Sequence, residues 1–255
     1  MKKLLVRILI GVVVLLVLAV VGIGIFLDGI AKRGIETVGP QITKVSVKLD
    51  GIDLSPLSGG GTVKGLVVGN PEGFTTPQAI SVGSATLSLK PMSLLADKLV
   101  IRKIEVIAPE ITFEGGFKGN NLSQILANVN EAAGGTGDTT EETEEAATRK
   151  LQVDDFLIRD AKLHVSITGM GGKTFPVALP PIHIENLGQG PDGITTAELV
   201  RLVLSEVEKY AVQAAEKGLA ELGASAGELR KGLEEAAGTN AAAIGSKIGE
   251  LLKKK

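Results

Sequence analysis

The feature that most constrains this chain is an uncharged stretch of twenty residues, Ile8 to Leu27, preceded by Lys2, Lys3 and Arg7. A helix rises 1.5 Å per residue, so about 20 apolar residues match the ~30 Å hydrocarbon core of a bilayer. A cleaved signal peptide has a shorter apolar region, about 7–15 residues, closed by a small-x-small site. The best such site, Gly22-Ile23-Gly24, is followed by further apolar residues, which predicts an uncleaved anchor. The cations precede the span, whereas the flank from Asp28 to Glu36 is nearly balanced. The positive-inside rule then puts the N-terminus in the cytoplasm and the body across the membrane. In a cell with two membranes, that is a single-pass anchor in the inner membrane and a periplasmic body.

Beyond the anchor the apolar period changes to two. Val45, Val47 and Leu49 alternate with Ser46, Lys48 and Asp50, and Ala85, Leu87 and Leu89 with Thr86, Ser88 and Lys90. Ile111 and Phe113 alternate with Thr112 and Glu114, and Leu163, Val165 and Ile167 with His164, Ser166 and Thr168. Such alternation marks strands with one apolar and one polar face, the habit of antiparallel sheets. Glycine-rich turns separate them at 58–61, 69–73, 115–116 and 169–172. The signals give roughly five strands before residue 115 and three or four between Gln152 and Glu185. Between the two groups, Asn120 to Leu126 reads as a helix of one to three turns. Gly134 to Thr148, with Asp138, Glu141, Glu142, Glu144 and Glu145 and no apolar period, reads as a solvated linker.

After Gly193 the period becomes helical. Thr195-Thr196-Ala197-Glu198 is a capping box, and Leu199, Leu202, Val203, Glu206, Val207 and Tyr210 follow at helical spacing. Past Gly218 the chain is rich in Ala, Gly, Glu and Lys. Each glycine weakens a helix by ~1 kcal/mol relative to Ala, so one or two marginal amphipathic helices are expected. Lys253-Lys254-Lys255 reads as a solvated end. The expected organisation is a cytoplasmic N-terminus and anchor over 1–34, and a first β portion with its short helix over 35–130. An acidic linker over 131–150, a second β portion over 151–190 and a helical tail over 191–255 complete it. The fold class is mainly β with α: a transmembrane helix, a curved antiparallel sheet and C-terminal amphipathic helices.

Little in the chain suggests catalysis. A net charge of -2 and a pI near 5.8 argue against nucleic acid. The absence of cysteine excludes disulfides, zinc-thiolate sites and thiol nucleophiles. Gly171-Gly172-Lys173-Thr174 mimics a phosphate-binding loop, but Ile167 stands where the motif needs its first glycine. The segment also lies between strands, which makes it a hairpin turn. Asp154 and Asp155 are adjacent and on a strand face opposite ways; Asp160, and the Asp50–Asp53 pair, have no histidine at ligand spacing. His164 and His183 each alternate with apolar neighbours and are expected on polar sheet faces. Ser123 completes an Asn-x-Ser triplet, which would carry no meaning in a bacterial setting. No nucleophile, base and orienting group can be assembled, and no catalytic residue, metal or cofactor is assigned.

What remains is distributed. Several strands present Val, Ile and Leu on one side and Ser, Thr, Lys and Glu on the other. An aliphatic face must be hidden by closure, by a helix such as 196–217, or by something apolar that it binds. A closed core and a lipid-holding concave face both meet that requirement.

The order of motifs after the anchor resembles a known family. Val45 to Leu49 is followed by Ser58-Gly59-Gly60-Gly61-Thr62-Val63-Lys64-Gly65-Leu66 and by Gly69-Asn70-Pro71-Glu72-Gly73-Phe74. Met92-Ser93-Leu94-Leu95-Ala96-Asp97-Lys98-Leu99-Val100-Ile101, Ile107-Ala108-Pro109-Glu110-Ile111-Thr112-Phe113-Glu114 and Asn120-Asn121-Leu122 complete the series. Over about residues 1–130 this resembles the N-terminal portion of AsmA-family proteins, relatives of TamB and the bridge-like lipid transfer proteins. The resemblance implies an inner-membrane anchor, a periplasmic β-sheet with an apolar groove, and a part in phospholipid transport or envelope biogenesis. It brings no catalytic residues. Val47, Leu49, Leu66, Val68, Leu87 and Leu89 are then the candidate groove wall. The expected partners are the inner membrane, phospholipid, and envelope proteins reached through 196–255. At ~4.8 Å per strand, eight or nine strands make a groove of about 40 Å, which suits a short carrier or adaptor. The alternative is an anchored β-domain that scaffolds an envelope complex through its C-terminal helices.

Overall fold

The computed structural model describes residues 27–55, 57–116, 119–134, 150–167 and 174–236. Most of the predicted anchor, the acidic linker, the Gly171-Gly172-Lys173 turn and the terminal lysines lie outside them. Among the described residues, no helix is long and apolar enough to cross a membrane. One compact unit ends at Val212 and a second begins at Gln213; the sheet lies wholly in the first.

Helix α1 (27–43) leads into β1 (Val47–Lys48), β2 (Gly51–Ser55), β3 (Gly60–Gly69) and β4 (Gln78–Leu89). A 3-10 turn (Pro91–Leu95) precedes β5 (Lys98–Ile107), β6 (Glu110–Gly116) and β7 (Gly119–Asn120). Helix α2 (Asn121–Gly134), β8 (Lys150–Arg159), β9 (Lys162–Ile167), β10 (Thr174–Ala178), β11 (Ile182–Leu187) and helix α3 (Thr196–Ala236) follow. All eleven strands join one open, curved sheet.

The sheet is mixed, which corrects the expectation of an antiparallel one: β5 pairs parallel with β8, and β6 with β9. The strands before and after the linker therefore meet inside a single sheet. A parallel pair needs a crossover of a dozen residues or more, and α2 lies within that connection.

Among the described residues, the registers join ten of the eleven strands into six long ones, and β7 only pairs back on the end of β6. β5 and β6 meet β8 and β9 at one 52-residue offset, from Lys98↔Lys150 to Gly115↔Ile167. β10 and β11 count down β9 and β8 without a slip, and β1 and β2 do the same along β3. The long strands are thus β1–β2, β3, β4, β5–β6, β8–β9 and β10–β11, adjacent in chain order. Five intervals of ~4.8 Å make about 24 Å across, shorter than the 40 Å expected from the strand signals. Several signals were halves of one broken strand.

The four breaks, at Asp50, Ala108, Asp160 and Pro180, fall on one line across the sheet with Gly65 and Gly83, which lie inside the unbroken β3 and β4. Three of these residues are left-handed, with φ of 61° at Gly65, 50° at Ala108 and 58° at Asp160. A Cβ on Gly65 would collide with the Asp50 carboxylate, so glycine is required there. At this crease the alternation changes phase. Ile52 is buried on one side, and Val45, Val47 and Leu49 on the other. Phe156 and Ile158 likewise give way to Ala161, Leu163 and Val165. A left-handed residue rotates the strand and keeps apolar side chains inward in both halves.

The half beyond the crease holds the tightest core. Ile111, Phe113, Leu163 and Val165 are at most 1% exposed, as are Leu122, Ile125 and Val129 from α2. Leu122, Ile125 and Val129 recur at helical spacing, and full burial of such side chains contributes about 1.5–3 kcal/mol each. α2 starts on a reciprocal cap: the Ser123 amide donates to Asn120 Oδ1 at 2.9 Å, and the Asn120 amide to Ser123 Oγ at 3.0 Å. With 14 residues, it runs beyond the one to three turns read from its sequence.

α1 extends the ordered helix past the expected anchor boundary at 34. Asp28, Lys32 and Glu36, one turn apart, face the outer edge of β1–β2. Asp28 Oδ1 accepts from the Leu54 amide at 2.7 Å, Lys32 Nζ donates to Asp50 O at 3.0 Å, and Glu36 Oε1 accepts from the Leu49 amide at 3.2 Å. These contacts cover backbone groups that an exposed edge strand would offer to another chain. Gly39 permits the close approach, because a Cβ there would sit 2.9 Å from that of Val47.

α3 begins on the predicted capping box: the Thr195 amide donates to Glu198 Oε2 at 2.7 Å, and the Glu198 amide to Thr195 Oγ1 at 3.2 Å. It is continuous through Gly218, Gly223, Gly227 and Gly232 as one 41-residue helix. Its buried line is Leu204, Val207 and Ala211, rotated from the Val203–Tyr210 face. The apolar arc of this helix is broad, and packing selects its centre.

Candidate functional site

Register turns the strand pattern into rows that cross the sheet. On the near side of the crease, Leu54, Gly61, Leu87, Ile104, Phe156 and Ile184 are successive partners. Two positions along run Ile52, Val63, Ala85, Val106, Ile158 and Ile182. Beyond the crease, Val47, Val68, Ile80, Ile111, Leu163 and Val177 form a third row. Each row is aliphatic or aromatic over all six strands, apart from Gly61.

The six candidate wall residues all fall on apolar rows. Val47, Leu49 and Leu89 are buried, whereas Leu66, Val68 and Leu87 are half-buried. The half-buried set continues into Leu54, Ile104, Val106 and Ile184. The six residues lie on the first three long strands, and the apolar rows continue on the other three through Ile104, Phe156 and Ile184.

The alternate row of the near half is polar apart from Leu157. Asp53, Thr62, Thr86, Glu105, Leu157 and His183 are partners across the near half. Arg159 Nε donates to Glu105 Oε1 at 2.8 Å and Arg159 Nη1 to Asp160 Oδ2 at 2.9 Å. The Arg159 guanidinium holds the Glu105 carboxyl below its ordinary value, against the opposing effect of burial. His183 Nε2 lies 2.7 Å from Asp155 Oδ1, and Lys103 Nζ 3.9 Å from Asp155 Oδ2. Asp154 instead accepts from Gln152 Nε2 at 2.7 Å, so the two adjacent aspartates do have separate partners. No spacing could have revealed the His183–Asp155 contact, which exists through the β8–β11 register. His164 is paired less closely, with Nε2 4.0 Å from Glu110 Oε2. Among the described residues, no group of three or more His, Asp or Glu could hold a metal ion.

The motif residues near the Asn-Pro turn form a second polar constellation, at the end of the far half. The Thr75 and Thr76 amides and hydroxyls all donate to the Glu114 carboxylate, at 2.5–2.8 Å. Burial alone would raise this carboxyl, but the four donors outweigh it and hold Glu114 at about 2. Asn121 Nδ2 donates to Asn70 Oδ1 and Thr112 O, each at 2.8 Å, and Asn121 Oδ1 accepts from the Glu114 amide at 2.9 Å. Asn70 Nδ2 reaches Thr76 O at 2.7 Å. Alternation placed Glu114 on the solvent face; it is instead 8% exposed and latches the 70–76 turn to β6 and α2. Its sequence signal was weak: one acid directly after the most buried aromatic residue.

The arrangement can bury apolar material along one face and keep charge on the other. No curated protein matches it. A model of the AsmA family matches residues 1–171, two thirds of the sequence. The matched stretch carries five of the six long strands, the crease through Asp160 and the Glu114 latch. The chain therefore belongs to the AsmA family.

Proposed function

We propose that this protein is a membrane-anchored, periplasmic member of its family that binds or shields lipid along its apolar sheet face, in envelope biogenesis or phospholipid transport. The observation that carries the proposal is the set of apolar rows spanning six strands, with Leu54, Leu66, Val68, Leu87, Ile104 and Ile184 only half-buried. Acyl chains need dispersion contacts and no hydrogen bonds, so an aliphatic wall suffices. The mechanism is passive partitioning, with no catalytic step and no cofactor. The ~24 Å breadth of the sheet exceeds half of a ~30 Å hydrocarbon core. It accommodates a leaflet-length chain rather than a bridge between membranes, which favours a short carrier or adaptor.

The test is site-specific photo-crosslinking in the full-length, membrane-embedded chain. A photoreactive residue at Leu87 or Ile104 is expected to capture phospholipid, and one at Thr86 or Ser84, on the polar rows, is not. Equal capture from both faces, or none from either in a folded protein, refutes the proposal. Protein adducts from 196–236 without lipid adducts would instead favour the scaffold reading.

A further inference from the structure

Of the five large apolar side chains exposed among the described residues, four lie toward one end of the sheet. Leu57 is 76% exposed, Met92 73%, Leu95 89% and Ile30, in the first turns of α1, 52%. The turn carrying Leu57 and the turn carrying Met92 and Leu95 are neighbours. The Leu89 amide donates to Gly59 O at 2.6 Å, and a Cβ on Gly59 would lie 3.2 Å from Pro91 Cδ.

Described residues of both turns are hydrogen-bonded. The Gly59 amide donates to Ser55 O at 2.8 Å; Ser93 Oγ donates to Lys90 O at 2.6 Å and accepts from the Val100 amide at 3.0 Å. Turns that hold aliphatic tips outward depart from the polar composition that turns normally carry. Apolar side chains clustered on a surface mark an interaction site.

The N-terminal run says what the partner is. It ends at Leu27, and the next residue, Asp28, is bonded to the Leu54 amide at 2.7 Å. No length of chain separates the end of the apolar run from the strand that leads into the Leu57 turn. From Asp28, α1 runs away from this end toward Val47, so the turns lie at the end of the sheet where the run stops in the sequence. We propose that Leu57, Met92 and Leu95 insert into the outer leaflet of the anchoring bilayer, seating the sheet end-on against the membrane. Lys90, exposed beside them, faces the headgroup phosphates. The occupant is the lipid surface itself, and the proposal rests on the anchor assigned under the proposed function. End-on seating would open the apolar rows toward the leaflet from which chains enter.

The chain has no cysteine, so each introduced thiol carries a unique nitroxide label. The full-length protein is reconstituted in phosphatidylethanolamine–phosphatidylglycerol vesicles with one label at a time, from Leu57→Cys, Met92→Cys or Leu95→Cys. Ser84→Cys and Thr86→Cys serve as polar-row controls, and Ser58→Cys and Asp97→Cys replace any tip variant that does not fold. Labels on the tips are expected to lose accessibility to a water-soluble nickel chelate and keep accessibility to oxygen, while the controls stay open to the chelate. A label from Val17→Cys reports on the anchor independently. If position 17 is shielded from the chelate and the tips are as open as the controls, end-on insertion is overturned and the anchor stands. If position 17 is itself open to the chelate, the anchor fails and the inference fails with it.

Discussion

Glu114 offers the sharpest test of how this fold holds itself together. Its carboxylate accepts four hydrogen bonds from Thr75 and Thr76, and its carboxyl is held at about 2 against an ordinary 4.5. A depression of that size is linked to about 3 kcal/mol of stability at neutral pH. Glu114→Gln keeps the shape but replaces one acceptor oxygen with a donor. Two of the four donors are then left facing an amide, and the loss expected at pH 7 is about 3 kcal/mol. The pH dependence has a definite sign. Because the folded carboxyl is depressed, the contribution is complete above about 4.5 and declines as pH falls toward about 2. The gap between wild type and Glu114→Gln is therefore widest at neutral pH and closes across that window.

With no tryptophan and one tyrosine, the suitable probe is far-ultraviolet circular dichroism during urea unfolding of the detergent-solubilised full chain. Hydrogen exchange at the Thr75 and Thr76 amides reports the latch locally and is expected to accelerate in the variant even if the rest of the sheet holds. A stability gap that stays constant from pH 7 to pH 2, or unchanged exchange at both amides, would refute the reasoning.

Two further perturbations address the crease and the covered edge. Gly65→Ala is expected to cost about 1–2 kcal/mol from the left-handed backbone alone, and more from collision with Asp50. Gly83→Ala, with open space around its Cβ position, should change stability by no more than about 0.5 kcal/mol; comparable losses in thermal unfolding would contradict the crease geometry. Asp28→Ala removes the acceptor of the Leu54 amide. That amide is expected to exchange about fivefold faster, equivalent to about 1 kcal/mol for a partly exposed charged hydrogen bond. Unchanged exchange would mean that α1 does not guard this edge.

How much was legible in the sequence depended on how local the signal was. Alternation at Ala85–Leu89 and Leu163–Val165 marked strands correctly, and at Val45–Leu49 it enclosed the two-residue β1, because side-chain direction repeats every two residues whatever the partner. The capping box at Thr195–Glu198 was equally plain, since its hydrogen bonds close within four residues. α1 was not foreseen past residue 34, because Gly34, Gly39 and Pro40 interrupt its pattern; contacts to the edge strand support it. Glu114 looked like a solvent-facing member of an alternating strand, and only the neighbouring turn and Asn121 make it an interior acid. The antiparallel expectation failed for a similar reason: a strand's own sequence carries its faces but not the direction of its neighbour.

By itself, then, the sequence determined that this chain has a bilayer-length apolar run, half-apolar strands of aliphatic composition and a capped C-terminal helix, together with motifs like those of the AsmA family. These are properties of spacing and residue type, and they are written in stretches of a few residues. Tertiary structure alone decided that ten of the eleven described strands make six long ones, that the two groups join in parallel at a 52-residue offset, and that every long strand meets one crease. It also decided that Leu57, Met92 and Leu95 gather at the end from which α1 starts. All of these depend on register, which sets residues far apart in the chain side by side. A one-residue slip would exchange the apolar rows for the polar ones. Burial of the Ile111–Phe113–Leu163 core is the energetic term that forbids that slip.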